Sequence, residues 1–409
     1  MATESNTDSF LGTWRLVAVF GARRGPVKPG PRRTAGSDTL VGSSNGVAMN
    51  VTSIRTHLLS VPFVDPPQTG FLALEMIDLL VVEVETDTGV VGTGHLHPLA
   101  GGMRTLEMCI HEMLEPVVMG QDASDPAALW QKMWAATFIQ GRMGITVMAM
   151  SALDMALWDA LGKAENKPLW ELWGGRGDPM PIYGSGCFRG LGHDGMIDKA
   201  QHYVAEGYTA IKMQVAHVFT QDEDEANVRD MREALGDDIE IMVDVNQGWT
   251  ADEAIEGGRR LDPYRLTWLE EPVVADDFDG YHRVADALDT PVVGGENHFL
   301  SPDLRPFYAS GKIPILQPDI MRGGYTGLRT IAADAHRAGI RIAPHVFPEM
   351  STHLTASIPN PSWLEDMGWY DHLWVEPLTV ENGLISPPTR PGHGMEFKPD
   401  LFRDHPYRA

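Results

Sequence analysis

Cysteine is nearly absent from this chain of 409 residues, with Cys109 and Cys187 the only two. Neither has metal-ligand spacing, which argues against a zinc site or a disulfide scaffold and fits reduced, buried thiols in a cytoplasmic protein. Long apolar runs are missing too: no stretch of about 18 apolar residues occurs, so no transmembrane helix is expected. Basic residues are the minority, 32 Lys and Arg against 56 Asp and Glu, for a formal net charge of -24. That balance argues against nucleic acid or an anionic membrane as partner. A small acidic substrate stays open, because a local cation outweighs a distant field that salt screens within about 8 Å. What is present, 43% hydrophobic and 22% charged residues, is ordinary for a globular protein. The length admits one barrel and a smaller domain.

Residues 1–48 differ in composition from the rest. Arg15, Arg23, Arg24, Lys28, Arg32 and Arg33 outnumber the acids, and Pro, Gly and Ser are dense. The apolar run from Phe10 to Phe20 has no basic region before it and no small-residue cleavage site after it, which speaks against a targeting segment. A disordered extension or an upstream start site is expected, with Met49 opening the ordered chain. Over residues 49–178, strand patterns at Val51 to Leu59, Leu72 to Glu85 and Val90 to Gly94 precede helical periodicity at Arg104 to Met119, Pro126 to Phe138 and Val147 to Lys163. This reads as an α+β capping domain. Its loop Pro62 to Phe71, with Phe63 and Phe71, is a plain connection or a lid. His95 and His97 lack a third ligand nearby and read as a polar loop end rather than a metal site.

From residue 179 strands and helices alternate strictly. Strand-like runs occur at Pro181 to Ser185, Ala210 to Val215, Ile239 to Asn246, Leu266 to Pro272, Pro291 to Glu296, Ile315 to Asp319, Arg341 to Val346 and Leu373 to Pro377. Eight strands with intervening helices predict a parallel barrel over residues 179–378, with its active site at the strand C-terminal ends. Asp244, Glu270 and Glu296 are spaced by 26 residues each time. A strand plus its return helix takes roughly 25 to 30 residues, so equal spacing puts the three carboxylates at the same end of neighbouring strands. Three oxygen ligands without Cys or His suit Mg²⁺. The other predicted strand ends carry Lys212, Asp319, His345 and Glu376. Removing a proton next to a carboxylate makes a doubly charged enediolate, which a divalent cation and the Lys212 ammonium stabilise. Asp319 and His345 would form a dyad in which the acid orients the imidazole as base or acid. Glu376, if protonated, could donate a hydrogen bond to the enediolate.

Ala210-Ile211-Lys212, Met242-Val243-Asp244-Val245-Asn246-Gln247, Trp268-Leu269-Glu270-Glu271-Pro272, Gly295-Glu296-Asn297, Gln317-Pro318-Asp319, Pro344-His345-Val346-Phe347 and Val375-Glu376-Pro377 together resemble the mandelate racemase subgroup of the enolase superfamily. The helix from Ala152 to Lys163 does so as well. The resemblance implies an α/β fold, a modified (β/α)7β TIM-like barrel under an N-terminal α+β capping domain, with the C-terminal tail of about residues 379–409 packing back on the cap. It also implies Mg²⁺ at Asp244, Glu270 and Glu296, a base or acid at His345 held by Asp319, and Glu376 near the substrate carboxylate. A Lys or His base working with Mg²⁺ is this superfamily's general scheme. Gln214, Asn246 and Asn297 are expected to contact the substrate, a small carboxylate, and a homo-oligomer is expected. One position departs from the family pattern: Gln214 stands where a second lysine is usual, and an amide takes no proton at neutral pH. Dehydration of a sugar-type acid through His345 is therefore the leading expectation. A racemase, epimerase or cycloisomerase, and a non-catalytic carboxylate-binding homologue, stay as alternatives.

Overall fold

The structure, a computed structural model, describes residues 48–70, 74–99 and 101–408. Residues 1–47 of the expected extension, and Phe71, lie outside the described residues. In the capping region β1 (Val51–Pro62), β2 (Met76–Thr86) and β3 (Val91–Leu96) form an antiparallel sheet in the order β1-β2-β3. The turn at Asp87-Thr88-Gly89 joins the last two, with Gly89 at φ 80°. The helix Ile145–Ala164 lies on β3. Ala152, Ala156 and Ala160 recur every fourth residue and so share one face. They meet Gly92 and Gly94, where an added Cβ would run into the carbonyl oxygens of Ala156 and Ala152. Replacing Gly94 by Val is expected to cost about 3 kcal/mol or more, because both colliding partners are helix backbone. Denaturant unfolding checks this, and an unchanged midpoint would mean that the helix moves away freely.

By length and composition that helix could cross a membrane, yet 83% of its apolar window is buried inside the fold. Its two buried acids explain what it holds. Asp159 accepts from the backbone N–H of Thr93 at 2.8 Å and of His393 at 2.9 Å, joining sheet and tail. Asp154 accepts from Thr326 N at 2.8 Å and Thr326 Oγ1 at 2.5 Å in the first turn of the helix Gly324–Arg337, where the helix dipole favours an anion. Burial nevertheless pushes the Asp154 carboxyl up to about 7.

The barrel strands are β4 (Met180–Cys187), β5 (Ala210–Gln214), β6 (Glu240–Asp244), β7 (Trp268–Glu270), β8 (Val292–Val293), β9 (Ile315–Leu316), β10 (Arg341–Ile342) and β11 (Leu364–Asp366). Parallel ladders run from β4 to β8 and from β9 to β10. The bridges Gly294↔Leu316 and Ile342↔Pro361 continue the ring, and β11 closes it on β4 through Leu364↔Ile182. Helices follow the first seven of these strands and none follows β11, so the architecture is (β/α)7β. Inside, Trp268 and Tyr183 pack with Ala210, Ala343, Met242, Val293 and Ile315, large side chains against small ones.

The expected eighth strand, Leu373 to Pro377, is not in the barrel. That segment leaves a short turn at Asp371–Leu373 and makes an antiparallel bridge, Trp374↔Phe397, with the tail. Its apolar start is buried, Leu373 and Trp374 together, while Val375 and Glu376 are exposed. The true closing strand has three residues, too few to display a period of two. Beyond it, β12 (Val380–Glu381) and β13 (Leu384–Ile385) form a hairpin whose second strand pairs with β4. The tail then reaches the cap, where Tyr407 N donates to Leu58 O and Ser60 N to His405 O, both at 2.9 Å.

Candidate active site

Left-handed backbone gathers where strands end. Ala216, His217, Asn246, Gln247, Glu271, Val346 and Phe347 all have φ between 40° and 65°. Each such non-glycine residue costs on the order of 1–3 kcal/mol, so the surrounding packing must hold them. These sharp turns bring the following residues back over the barrel mouth, where a cavity of about 570 Å³ opens. Its floor is polar, with Lys212, Asp244, Glu296 and His345. Its roof is apolar, with Leu99, Met148, Phe188, Met367 and Trp369.

Lys212 on β5 is almost completely buried. Its Nζ lies 2.6 Å from Glu270 Oε1, 2.7 Å from Glu365 Oε1 and 4.0 Å from Asp244 Oδ2. Burial pulls the ammonium down, but Glu270 and Glu365 outweigh that and hold it well above its ordinary value. One positive charge cannot neutralise two buried carboxylates. Burial pushes both up, but Glu365 has His345 as well as Lys212 opposing it and is held below its ordinary value, whereas Glu270, beside Asp244, stays raised. Asp244 is pushed up to about 6, by burial first and by Glu296, with Lys212 opposing. Glu296 is raised by burial, with His345 opposing. His345 Nδ1 is 3.1 Å from Asp319 Oδ2, and since a carboxylate only accepts, Nδ1–H donates and Nε2 is left outside that bond. Nε2 faces Glu296 Oε2 at 3.5 Å. Burial lowers this imidazole, but Glu296 and Asp319 raise it to about 10.

The donor set suits a divalent cation. Asp244, Glu270 and Glu296 offer carboxylate oxygens at three adjacent strand ends, and burial raises each, the condition a bound cation would relieve. Among the described residues no three His, Cys, Asp or Glu side chains already close on one point. The reason lies in their present partners: Asp244 accepts from Asn246 N at 2.8 Å and Nδ2 at 2.5 Å, and Glu270 from Lys212 and from Trp268 Nε1 at 2.9 Å. Each carboxylate has lone pairs beyond these bonds.

Glu376 does not reach the cavity. Its side chain is 70% exposed and pairs with Arg390 at 3.1 Å, because the segment that carries it runs along the tail. Glu365, on the real closing strand, faces Lys212 and accepts from Val346 N at 3.0 Å. It lies 20 residues after His345 and Glu376 lies 31 after it, so the 26-residue spacing points to neither.

Asn246 and Asn297 line the cavity, but their amides are engaged by protein. Asn246 accepts from Arg189 Nη2 at 2.7 Å while donating to Asp244. Asn297 Nδ2 donates to Glu271 at 2.9 and 3.0 Å, and its Oδ1 accepts from Arg322 at 3.1 Å. Both therefore orient neighbouring side chains in this state. Gln214 also lines the cavity, and Arg189 N approaches its Oε1 at 3.5 Å. Glu271, buried and raised by burial and by Glu296, was visible in the Glu270-Glu271-Pro272 motif but not singled out, while Arg189 and Arg322 gave no signal in spacing.

His95, within β3, and His97, just after it, are interior, not a polar loop end. His95 sits among Phe347, Trp374 and Phe397, with ring centroids 5.4 to 5.5 Å away, and burial lowers it to about 3. His97 Nδ1 lies 2.9 Å from the hydroxyl of Tyr370, a cavity-lining residue, and burial lowers it to about 4. The loop after β1 forms part of the wall through Thr69 and Leu74, and is fastened by Lys199 to Asp65 at 2.8 Å and by Gly190 N to Gln68 O at 2.8 Å.

Two family models match the chain: the mandelate racemase / muconate lactonizing enzyme N-terminal domain over residues 53–174, and the enolase C-terminal domain-like model over residues 195–401. A 3,6-anhydro-alpha-L-galactonate cycloisomerase of Streptomyces coelicolor is 33% identical over 348 residues, 84% of this chain and 96% of that protein. An L-talarate/galactarate dehydratase of Salmonella typhimurium is 31% identical over 327 residues, 79% of this chain and 81% of that protein. Among solved structures, an L-talarate dehydratase from a Polaromonas species, complexed with Mg and L-glucarate, superposes with a TM-score of 0.83 at 30% identity, covering 88% of this chain and 99% of that one. The chain belongs to the mandelate racemase / muconate lactonizing enzyme family of the enolase superfamily.

Proposed function

We propose that this Mg²⁺-dependent enzyme takes the α-proton from a hydroxylated acid of the sugar-acid class and expels the β-oxygen, as a hydro-lyase. Asp244, Glu270 and Glu296 would hold the cation, which when bound supplies Lewis-acid stabilisation of negative charge on the substrate carboxylate. Lys212 adds a fixed ammonium to the same charge, and Glu365 keeps that ammonium in place. His345 Nε2 carries the proton, with Nδ1 tied to Asp319. The apolar side chains in the cavity wall lower its polarity and strengthen each of these interactions. The observation that carries the reading is the pairing of one oriented imidazole with an amide at Gln214, which leaves a single-face reaction as the simplest chemistry.

Cycloisomerisation is the second reading, favoured by the likeness to the anhydro sugar acid cycloisomerase and by the low polarity of the roof. It begins with the same proton abstraction and differs in the oxygen that leaves. Mass spectrometry of the product formed from sugar acids in H₂O separates the two: a dehydratase product is lighter than its substrate by one water, and a cycloisomerase product has the mass of its substrate. Removing divalent ions with EDTA is expected to abolish α-proton exchange, and added Mg²⁺ to restore it. Exchange that persists without metal would overturn the assignment. A homo-oligomer in the cytoplasm belongs to the same reading, and light scattering tests the assembly.

A further inference from the structure

Of the acids around the cavity, Asp244, Glu271, Glu296 and Asp319 line it directly; the lysine and arginine that line it are Lys212 and Arg322. Lys212 is taken by Glu270 and Glu365. Arg322 forms no ion pair with a carboxylate among the described residues: its hydrogen bond runs from Nη2 to Asn297 Oδ1, its guanidinium lies 5.1 Å over the ring of Phe299, and its Nε is buried without a partner. Arg232 shows what a structural arginine does in this chain, giving its donors to the carbonyls of Tyr264, Gly236, Ile239 and Arg265. A half-buried guanidinium with neither counterion nor a full set of carbonyls carries a desolvation cost that a bound anion removes.

We infer that Arg322 is the specificity-determining residue for a second, distal carboxylate, so that the substrate is a dicarboxylic hydroxy acid. The inference rests on the reading that a carboxylate substrate occupies this cavity. Arg322 closes the turn Ile320–Arg322 after β9, and its N–H donates to Asp319 O at 3.0 Å, so the backbone that carries the dyad's aspartate also aims the guanidinium. Met321 in that turn accepts from His97 N of the cap at 3.4 Å. Arg322 therefore stands beside the junction of cap and barrel, and it shares neither of the carboxylates that hold Lys212. Asn297 Nδ2 donates to both oxygens of Glu271 and, at 3.4 Å, to Glu296 Oε1, which leaves the amide oxygen to Arg322, and the guanidinium packs over the Phe299 ring. A planar fork held in this way matches a carboxylate in two parallel bonds, which a lysine does not reproduce. A cavity of about 570 Å³ is ample for a six-carbon diacid.

The test is calorimetric binding of galactarate and of galactonate, which lacks the second carboxylate, to the Mg²⁺-loaded protein and to its R322M and R322K variants. Wild type is expected to bind the diacid about 100-fold more tightly, as charge-assisted bidentate pairing in a partly buried site allows. R322M should bring the ratio to within about 3-fold of one, with R322K between the two. Equal weakening of both acids in R322M, a wild type that binds the monoacid as tightly as the diacid, or binding of neither acid would overturn the inference. Deuterium exchange is measured in parallel: a diacid preference lost in R322M without exchange in wild type would sink the catalytic reading and leave the Arg322 assignment standing.

Discussion

Replacing His345 by Asn is expected to lower α-proton exchange by about 1,000-fold or more while leaving the protein folded. The orientation of the imidazole is defined by geometry, since Nδ1–H must donate to Asp319 Oδ2 at 3.1 Å. Asparagine keeps a donor for that carboxylate, so the orienting acid is not left unpaired, and what is lost is the nitrogen that moves the proton. The surrounding strands, pinned by His345 N to Pro318 O at 3.2 Å, use only backbone at this position. Exchange followed by proton NMR in D₂O, with thermal unfolding on the same sample, separates lost chemistry from lost fold. Undiminished exchange in the variant would remove His345 from the mechanism and turn attention to Lys212.

The second large effect concerns Lys212→Met, which is expected to abolish turnover and to destabilise the metal-free protein by about 3–5 kcal/mol. Methionine fills the space, but Glu270 and Glu365, both with wholly buried side chains, lose the ammonium 2.6 and 2.7 Å away. The pH dependence has a definite sign. Glu365 is held below its ordinary value, so its contribution to stability is complete above about pH 4.5 and fades as pH falls below that. The difference between wild type and variant should thus be greatest near neutral pH and shrink toward about pH 3. Denaturant unfolding in EDTA at several pH values measures it. A gap that widens on acidification would mean that Glu365 is not ionised beside Lys212.

Much of the site was legible in order along the chain. Asp244, Glu270, Glu296, Asp319 and His345 were found because a βα unit has a nearly constant length, so equal intervals place residues at equivalent strand ends. Glu365 escaped because the closing strand is three residues long and has no helix after it, which removes both the alternation and the interval. The pattern at Leu373 to Pro377 misled for a related reason: Leu373 and Trp374 are both buried, Trp374 stacked on Phe397 at 4.3 Å, and an extended apolar segment anchored on the tail looks like a strand. His95 and His97 read as polar because their type says so, while their burial depends on Phe347, Trp374, Phe397 and Tyr370, which arrive from hundreds of residues away.

The sequence by itself determined the family, the barrel, the acidic triple and the dyad, since each rests on local periodicity and on a repeat length that the backbone imposes. Tertiary structure alone decided that β11 closes on β4 and brings Glu365, not Glu376, to Lys212. It also decided that Asn246 and Asn297 face their neighbouring acids, and that Arg322 stands over Phe299 without a carboxylate. These are contacts between side chains on different strands, and such contacts follow from how a closed barrel brings distant segments together rather than from any interval along the chain.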